Sequence, residues 1–367
     1  MIAMLPGRKI RVLIVDDSTT VRRILQDALA AEPDIEVVGG APDPYAARDM
    51  ILELKPDVLT LDIEMPRMDG LTFLRKLMHF RPMPVIVISS LAQPSCSAAV
   101  QALESGAVEA LAKPAGPYSV GDLKNSLADK IRVAASSRVR GPRVIPPLAR
   151  AITPYWSATA AERVIAIGAS TGGTEAIAEV LKRLPAGCSG VVITQHIPPV
   201  FSRALANRMN ELCPLEVKEA SDVDELRPGT ALVAPGDFHM LLRGRPGRYF
   251  VQIKTGPRVC FQRPSVDVLF TSVAEAAGGH AVATLLTGMG SDGARGLLAL
   301  KGAGARTFAQ DEESCVVFGM PREAILMGAA ERVVPLSGMA DALIAACSAP
   351  ARETAPRVDA KVLKTLS

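Results

Sequence analysis

Two sets of polar residues, placed where apolar runs end, have the side chains for catalysis. Asp16 and Asp17 close the run IRVLIV, Asp62 closes DVLTLD, Ser89 closes PVIVIS, and Lys113 follows EALA and precedes Pro114. Three converging carboxylates suit a hard, oxygen-seeking Mg2+ ion. With the cation bound they stay ionised, one can attack phosphorus, and a hydroxyl and an ammonium group can hold the phosphoryl oxygens. Further along, Ser170 lies in Gly168-Ala169-Ser170-Thr171-Gly172-Gly173, between the apolar run VIAI and the helical stretch TEAIAEVLKRL. A serine on such a turn has backbone N–H groups nearby to stabilise an oxyanion. His196 ends GVVITQ and Asp292 sits among glycines in LLTGMGSDGARG. An aspartate that accepts the imidazole N–H fixes the tautomer and stabilises the imidazolium as the serine loses its proton.

Each residue also has a plain structural role open to it: an acid pair caps a helix, a histidine ends a strand, an aspartate sits in a turn. The joint spacing speaks for chemistry. Two other readings of the serine turn fit less well. GASTG matches G-x-S-x-G, but the α/β-hydrolase elbow orders its triad serine, acid, histidine, and here His196 precedes the acid. Dinucleotide binding needs G-x-G-x-x-G, whereas Gly168 is followed by glycine only at 172 and 173, and no Tyr-x-x-x-Lys pair occurs.

The elements around these residues predict an α/β protein of two doubly wound domains. A chain of 367 residues exceeds what one core usually serves. From 9 to 132, the strand-like runs IRVLIV, IEVVGG, DVLTLD, PVIVIS and AVEALA alternate with amphipathic helices, which predicts a five-stranded parallel, flavodoxin-like sheet. Ser18 is an N-cap candidate, with Val21, Ile24, Leu25, Ala28 and Leu29 on one helix face. Residues 133–161, rich in Ala, Ser, Pro and Arg, read as a linker. From 162 to 350 the runs VIAIGAS, GVVITQH, TALVAPG, AVATLLTG and ERVVPL predict a larger, mainly parallel α/β domain, and 351–367 a polar tail.

Composition narrows the function classes. Although 49% of residues are hydrophobic, no run approaches the ~18 that would suggest a membrane span. The N-terminus has no signal-peptide pattern, so the expected location is the cytoplasm, without membrane insertion. Six scattered cysteines lack zinc-finger spacing and read as reduced thiols. A net charge of +3, with no helix-turn-helix signal or basic recognition helix, argues against nucleic acid as a partner.

The first constellation, with LDIEMPRMDG around Asp62, resembles the receiver domain of two-component response regulators over some 120 residues. The resemblance implies that Asp62 is the phosphoacceptor, that Asp16 and Asp17 help it hold Mg2+, and that Ser89 and Lys113 form the switch pair. Ala110 stands where many receivers carry an aromatic reporter, which removes that relay. The motifs IGASTGGTEAI, QHIPP, APGDFHM, RPSVDVLF and LLTGMGSDGARG occur in order and resemble the catalytic domain of CheB methylesterases. This implies Ser170 as nucleophile, His196 as general acid and base, and Asp292 as its orienting acid, with Thr171 and Met289 near the serine turn and oxyanion. His239 and Asp267 fall in shared segments as packing or turn residues. The implied activity is a receiver-gated hydrolysis of glutamate γ-methyl esters on chemoreceptors, with glutamine deamidation by the same chemistry and no metal at that step. A sensor histidine kinase would be the phosphodonor. The alternative class is a receiver protein whose second domain only binds a signalling partner.

Overall fold

The computed structural model describes residues 8–90, 92–113, 117–139 and 162–352. Five strands, β1 (Ile10–Val15), β2 (Ile35–Ala41), β3 (Val58–Asp62), β4 (Val85–Ser89) and β5 (Glu109–Ala112), form a parallel sheet in the order β2-β1-β3-β4-β5. Helices α1 (Thr19–Leu29), α2 (Pro44–Leu54), α3 (Gly70–Phe80), α4 (Gln93–Glu104) and α5 (Pro117–Ser136) cross between and after them. The strands are β-branched and apolar because helices cover both faces, as a fully parallel sheet requires. Ser18 caps α1 by accepting from Val21 N at 3.4 Å, and Leu25, Ala28 and Leu29 are buried, with Val21 and Ile24 only partly so.

The first domain does not stop at Arg132. Helix α5 runs on to Ser136, because Val133 and Ala134 are apolar and find buried positions. Residues 140–161, most of the expected linker, and 353–367, most of the expected tail, lie outside the described residues.

The second domain is built on β6 (Val164–Ala169), α6 (Gly173–Leu181), β7 (Gly190–Gln195), α7 (Phe201–Leu212), β8 (Glu216–Glu219), β9 (Glu225–Leu226) and β10 (Thr230–Val233). It continues through β11 (His239–Arg245), β12 (Arg248–Lys254), α8 (Val266–Ala277), β13 (Ala281–Leu285), α9 (Ala294–Gly302) and β14 (Arg306–Gln310), then α10 (Met320–Leu326), β15 (Arg332–Val334) and α11 (Leu336–Ser348). Seven strands pair in parallel in the order β15-β14-β13-β6-β7-β10-β8, and β11, β12 and β9 make a small antiparallel sheet. Strands β8 and β14 and the antiparallel sheet were not foreseen: EVKE and RTFAQ are short and carry charge or polar groups, and their pairing is decided by neighbours.

Both sheets reverse their winding beside a central strand, at β1/β3 and at β6/β13. In open α/β sheets that point leaves a crevice outside the carboxyl strand ends. Asp16 and Asp62 lie at the first crevice, and Ser170 and Asp292 follow β6 and β13 at the second.

The two domains share an apolar cluster. Met78, Cys96, Val100, Leu103 and Ala107 of the first belong to it together with Ile177, Val180 and Leu205 of the second, and α4 packs on α6 and α7. Polar contacts at the rim include Arg208 Nε with both Glu104 carboxylate oxygens at 3.1 Å and Arg138 Nη2 with Glu312 at 2.8 Å. Such partly exposed pairs are worth about 0–1 kcal/mol each, so apolar contact carries the docking. Among the described residues no helix is long and apolar enough to cross a membrane.

Candidate active site

Three neighbouring strands bring together residues far apart in the chain. Ser170 follows β6, His196 follows β7, and Asp292 lies between β13 and α9; all three are buried, at 5%, 7% and 2% exposure. His196 Nε2 pairs with Asp292 Oδ2 at 2.8 Å. That leaves Nδ1, buried and without a hydrogen-bond partner, as the nitrogen that can take a proton. Ser170 and His196 line one cavity of about 280 Å³ between the domains. No hydrogen bond joins Ser170 Oγ to His196 among the described residues, so this is a resting arrangement; such bonds often tighten only with substrate bound.

Asp292 is held from a second side. Its carboxylate accepts Ser265 Oγ–H at 2.8 Å, Val266 N–H at 2.7 Å and Asp267 N–H at 3.0 Å, the donors at the start of α8. Burial by itself would raise the Asp292 pKa, but the hydrogen bond and charge of His196, with Asp267 N–H and Ser265, outweigh it and hold the carboxyl below its ordinary value. Asp267 is fixed in turn by Gly296 N–H at 2.7 Å, and His239 Nε2 donates to Pro257 O at 2.9 Å. Both stabilise loops around the site.

The serine turn fits only small neighbours. Gly172 has φ +74, a region that favours glycine, and a Cβ there would lie 2.6 Å from Val316 Cβ. Gly288 passes so close that a Cβ would sit 2.6 Å from Ser170 Cβ, which places the Met289 backbone beside Ser170, with Met289 50% exposed. Ser170 N–H already donates to Thr287 O at 3.0 Å, so an oxyanion must draw on other donors of the turn. Thr171 turns its hydroxyl away from the reacting centre, to Glu109 Oε2 of strand β5 at 3.0 Å.

Two residues with a part here escaped the sequence reading. Gln195, at 3% exposure, donates through Nε2 to Ser170 O at 2.8 Å and to His196 O at 3.1 Å, so one amide ties the backbone of Ser170 to that of His196. A side chain at Gly173 would run into Gln195 Oε1, which explains the second glycine of the turn. The signal was an amide ending an otherwise apolar strand. Glu109, at 8% exposure, accepts from both Thr171 and Lys130 Nζ, the latter at 2.7 Å. Its signal was an acid inside a buried strand.

In the first domain Lys113 Nζ lies 2.7 Å from Asp62 Oδ2 and 3.1 Å from Asp16 Oδ2. Burial pushes the Asp62 pKa up against the pull of Lys113; burial also acts to lower that of Lys113, but Asp62 and Asp16 outweigh it and raise it. Asp16, Asp17 and Asp62 each offer a carboxylate oxygen, all within 4.8 Å of one another. Ser89 is buried, and its hydroxyl is turned to Ser95 O of α4 at 3.2 Å rather than to Asp62. Pro114 lies outside the described residues.

Two substitutions test this arrangement. Gln195→Leu should lower kcat about 10- to 100-fold with KM within twofold, since misplacing catalytic groups by about 1 Å costs roughly that much; unchanged kcat in steady-state kinetics would refute the clamp. Asp292→Asn should cost kcat about 10⁴-fold. Because the Asp292 pKa is depressed in the fold, its charge stabilises the protein above the unfolded value of about 4 and ceases to as pH falls through the folded value. Urea unfolding should therefore show a wild-type advantage over the Asn variant at neutral pH that shrinks in acid.

Known proteins place both domains. The chain matches the CheB methylesterase family over residues 165–343 and the response regulator receiver domain over residues 12–123. It is 55% identical over 337 residues to protein-glutamate methylesterase/protein-glutamine glutaminase 4 of Anaeromyxobacter dehalogenans (strain 2CP-C), covering 92% of this chain and 95% of that one. It is 53% identical to protein-glutamate methylesterase/protein-glutamine glutaminase 2 of Syntrophus aciditrophicus (strain SB), over 92% of this chain and 98% of that one. With the protein-glutamate methylesterase/protein-glutamine glutaminase of Salmonella choleraesuis (strain SC-B67) it shares 51% identity, over 93% and 98% respectively. The chain belongs to the CheB methylesterase family, with a response regulator receiver as its first domain.

Proposed function

We propose that this chain hydrolyses glutamate γ-methyl esters on chemoreceptors, and deamidates receptor glutamines, under control of phosphorylation at Asp62. The observation that carries the reading is the buried His196–Asp292 pair, at 2.8 Å, sharing a cavity with the serine of a strand-to-helix turn. Ser170 Oγ attacks the ester carbonyl as His196 Nδ1 takes its proton. The tetrahedral oxyanion faces backbone donors of the Ser170 and Met289 segments. Its collapse expels methanol, which leaves with the proton from His196, and a glutamyl ester of Ser170 remains. Water, deprotonated by His196, then attacks that ester, releasing glutamate and restoring Ser170. For a glutamine side chain ammonia leaves in place of methanol.

The receiver takes a phosphoryl group from a sensor histidine kinase onto Asp62. The cluster of Asp16, Asp17 and Asp62 fits Mg2+ by its all-oxygen donor set. When bound there, the ion neutralises charge on the phosphoryl oxygens. Lys113 is already within reach of Asp62, whereas Ser89 must leave Ser95 O to meet a phosphoryl oxygen, freeing a contact to α4. Substrate and kinase both place the protein's work in the cytoplasm. The receiver covers the serine side of the cavity, and phosphorylation would shift the population toward an open form.

Methanol release from methylated receptor membranes tests the reaction. Wild type should release it, Ser170→Ala should fall to background, and Asp62→Asn should keep the basal rate yet lose stimulation by a small phosphodonor with Mg2+. Release by Ser170→Ala at the wild-type rate would refute the mechanism. A second assay addresses closure. A buried hydrogen bond to a charged group is worth about 1.5–3 kcal/mol, so Glu109→Ala should raise the basal rate ~10-fold while the phosphodonor-stimulated rate stays put. An unchanged basal rate would remove Glu109 from the gate.

A further inference from the structure

The loop between β12 and α8 carries a feature that hydrolysis itself does not use. Val259 and Gln262 exchange backbone hydrogen bonds, N to O at 3.0 Å and N to O at 2.9 Å, and leave Cys260 and Phe261 as a two-residue tip. Their φ values are +49 and +64. Two successive positive φ values favour Asn-Gly, and an aromatic ring there is held in a disfavoured conformation. The loop is braced to keep it. Arg263 Nη1 donates to Gly256 O at 2.6 Å, Arg263 Nε and Nη2 donate to Asp237 at 3.0 and 2.6 Å, and His239 holds Pro257 O. The outcome is a Phe261 ring 90% exposed, higher than any other large apolar side chain among the described residues.

The other residue of the tip lies beside Asp292. The Cys260 thiol and the carboxylate oxygens of Asp267 and Asp292 lie within 4.8 Å of one another. Of the seven non-glycine residues with positive φ among the described residues, four (Val200, Asp237, Cys260 and Phe261) occupy loops that adjoin His196 or Asp292. The loops at 198–200 and 236–238 touch, since a Cβ on Gly236 would lie 2.6 Å from Pro199 N. Two exposed cations flank the tip: Arg258 precedes the turn, and Arg295 follows Asp292 closely enough for its charge to act on Cys260 and Asp267.

We infer that Phe261 is the specificity residue that grips the protein segment bearing the ester, a reading that rests on the methylesterase function proposed above. The occupant is an acidic segment: an apolar residue of it packs on Phe261, and neighbouring carboxylates face Arg258 and Arg295. Those carboxylates are what ester hydrolysis itself leaves behind, so the cationic rim matches a substrate with several modifiable glutamates. A glutamate side chain is short and its ester enters a cleft, so the segment that carries it must rest on the rim.

The test uses the full chain activated by phosphodonor, comparing wild type, Phe261→Ala and Phe261→Tyr. Three quantities are read: KM and kcat for methanol release from methylated receptor membranes, the rate at which a small fluorophosphonate labels Ser170, and the sedimentation coefficient. Phe261→Ala should raise KM ~10-fold with kcat within twofold and labelling unchanged, and Phe261→Tyr should restore KM. Unchanged KM in an active variant overturns the inference. So does slowed labelling, which would assign the tip to support of the triad, or a changed sedimentation coefficient at constant KM, which would assign the ring to a second copy. If wild type is labelled at Ser170 yet releases no methanol, the substrate reading itself fails and takes this one with it.

Discussion

A carboxylate at 2% exposure persists only where donors replace the water it has lost, and Asp292 meets that condition with His196, Ser265 and two backbone N–H groups of α8. The start of a 12-residue helix supplies oriented N–H groups and a favourable dipole end for the anion. Because those bonds come from two elements, they lock α8, the β13–α9 loop and the imidazole to one another. With Nε2 committed to Asp292, Nδ1 is the ring nitrogen left open to a proton. Removing any one of these groups leaves the others buried and unpaired, the costly direction of change for a polar cluster.

The same economy of contacts explains how the two domains can communicate while remaining separately folded. Their junction is mainly apolar, so it has little directional preference of its own, and its register is set by a few polar bonds. Among these, Thr171 Oγ to Glu109 at 3.0 Å is buried and touches the residue next to the nucleophile. Lys130 Nζ also donates to that carboxylate, which holds it within the first domain. A receiver that lacks an aromatic at Ala110 therefore still has a side chain reaching the serine turn from the same strand.

Much of this was legible in the sequence because parallel α/β sheets put chemistry at strand ends. Apolar runs ending in Asp16, Asp62, Ser170 and His196 mark the carboxyl edges directly, and the glycines around Asp292 mark a loop free to enter the crevice. The residues that escaped reading are those whose role exists only across elements. Gln195 looks like any strand-end amide until Ser170 and His196 flank it, and Glu109 looks like an edge residue until the second domain covers it. Strand β14 escaped because RTFAQ has too little apolar character to be told from a loop without β13 and β15 beside it. The extension of α5 to Ser136 escaped because Ala and Ser are neutral to the helix-or-linker choice until Val133 finds a buried position.

The magnitudes set what phosphorylation can do. Moving the Ser89 hydroxyl from Ser95 O to a phosphoryl oxygen exchanges one hydrogen bond for another, a net change of about 1 kcal/mol, and about 1.4 kcal/mol shifts an equilibrium tenfold. A gate of this kind works only if the closed and open forms are already close in free energy. Helix α4, which accepts from Ser89, lies on α7, so a shift of the Ser89 hydroxyl acts on the element that carries the apolar junction. The protein thus separates its two tasks by burial. His196 and Asp292 are buried and bonded to each other at 2.8 Å, while the first domain lies over the cavity through an apolar junction whose polar bonds are few.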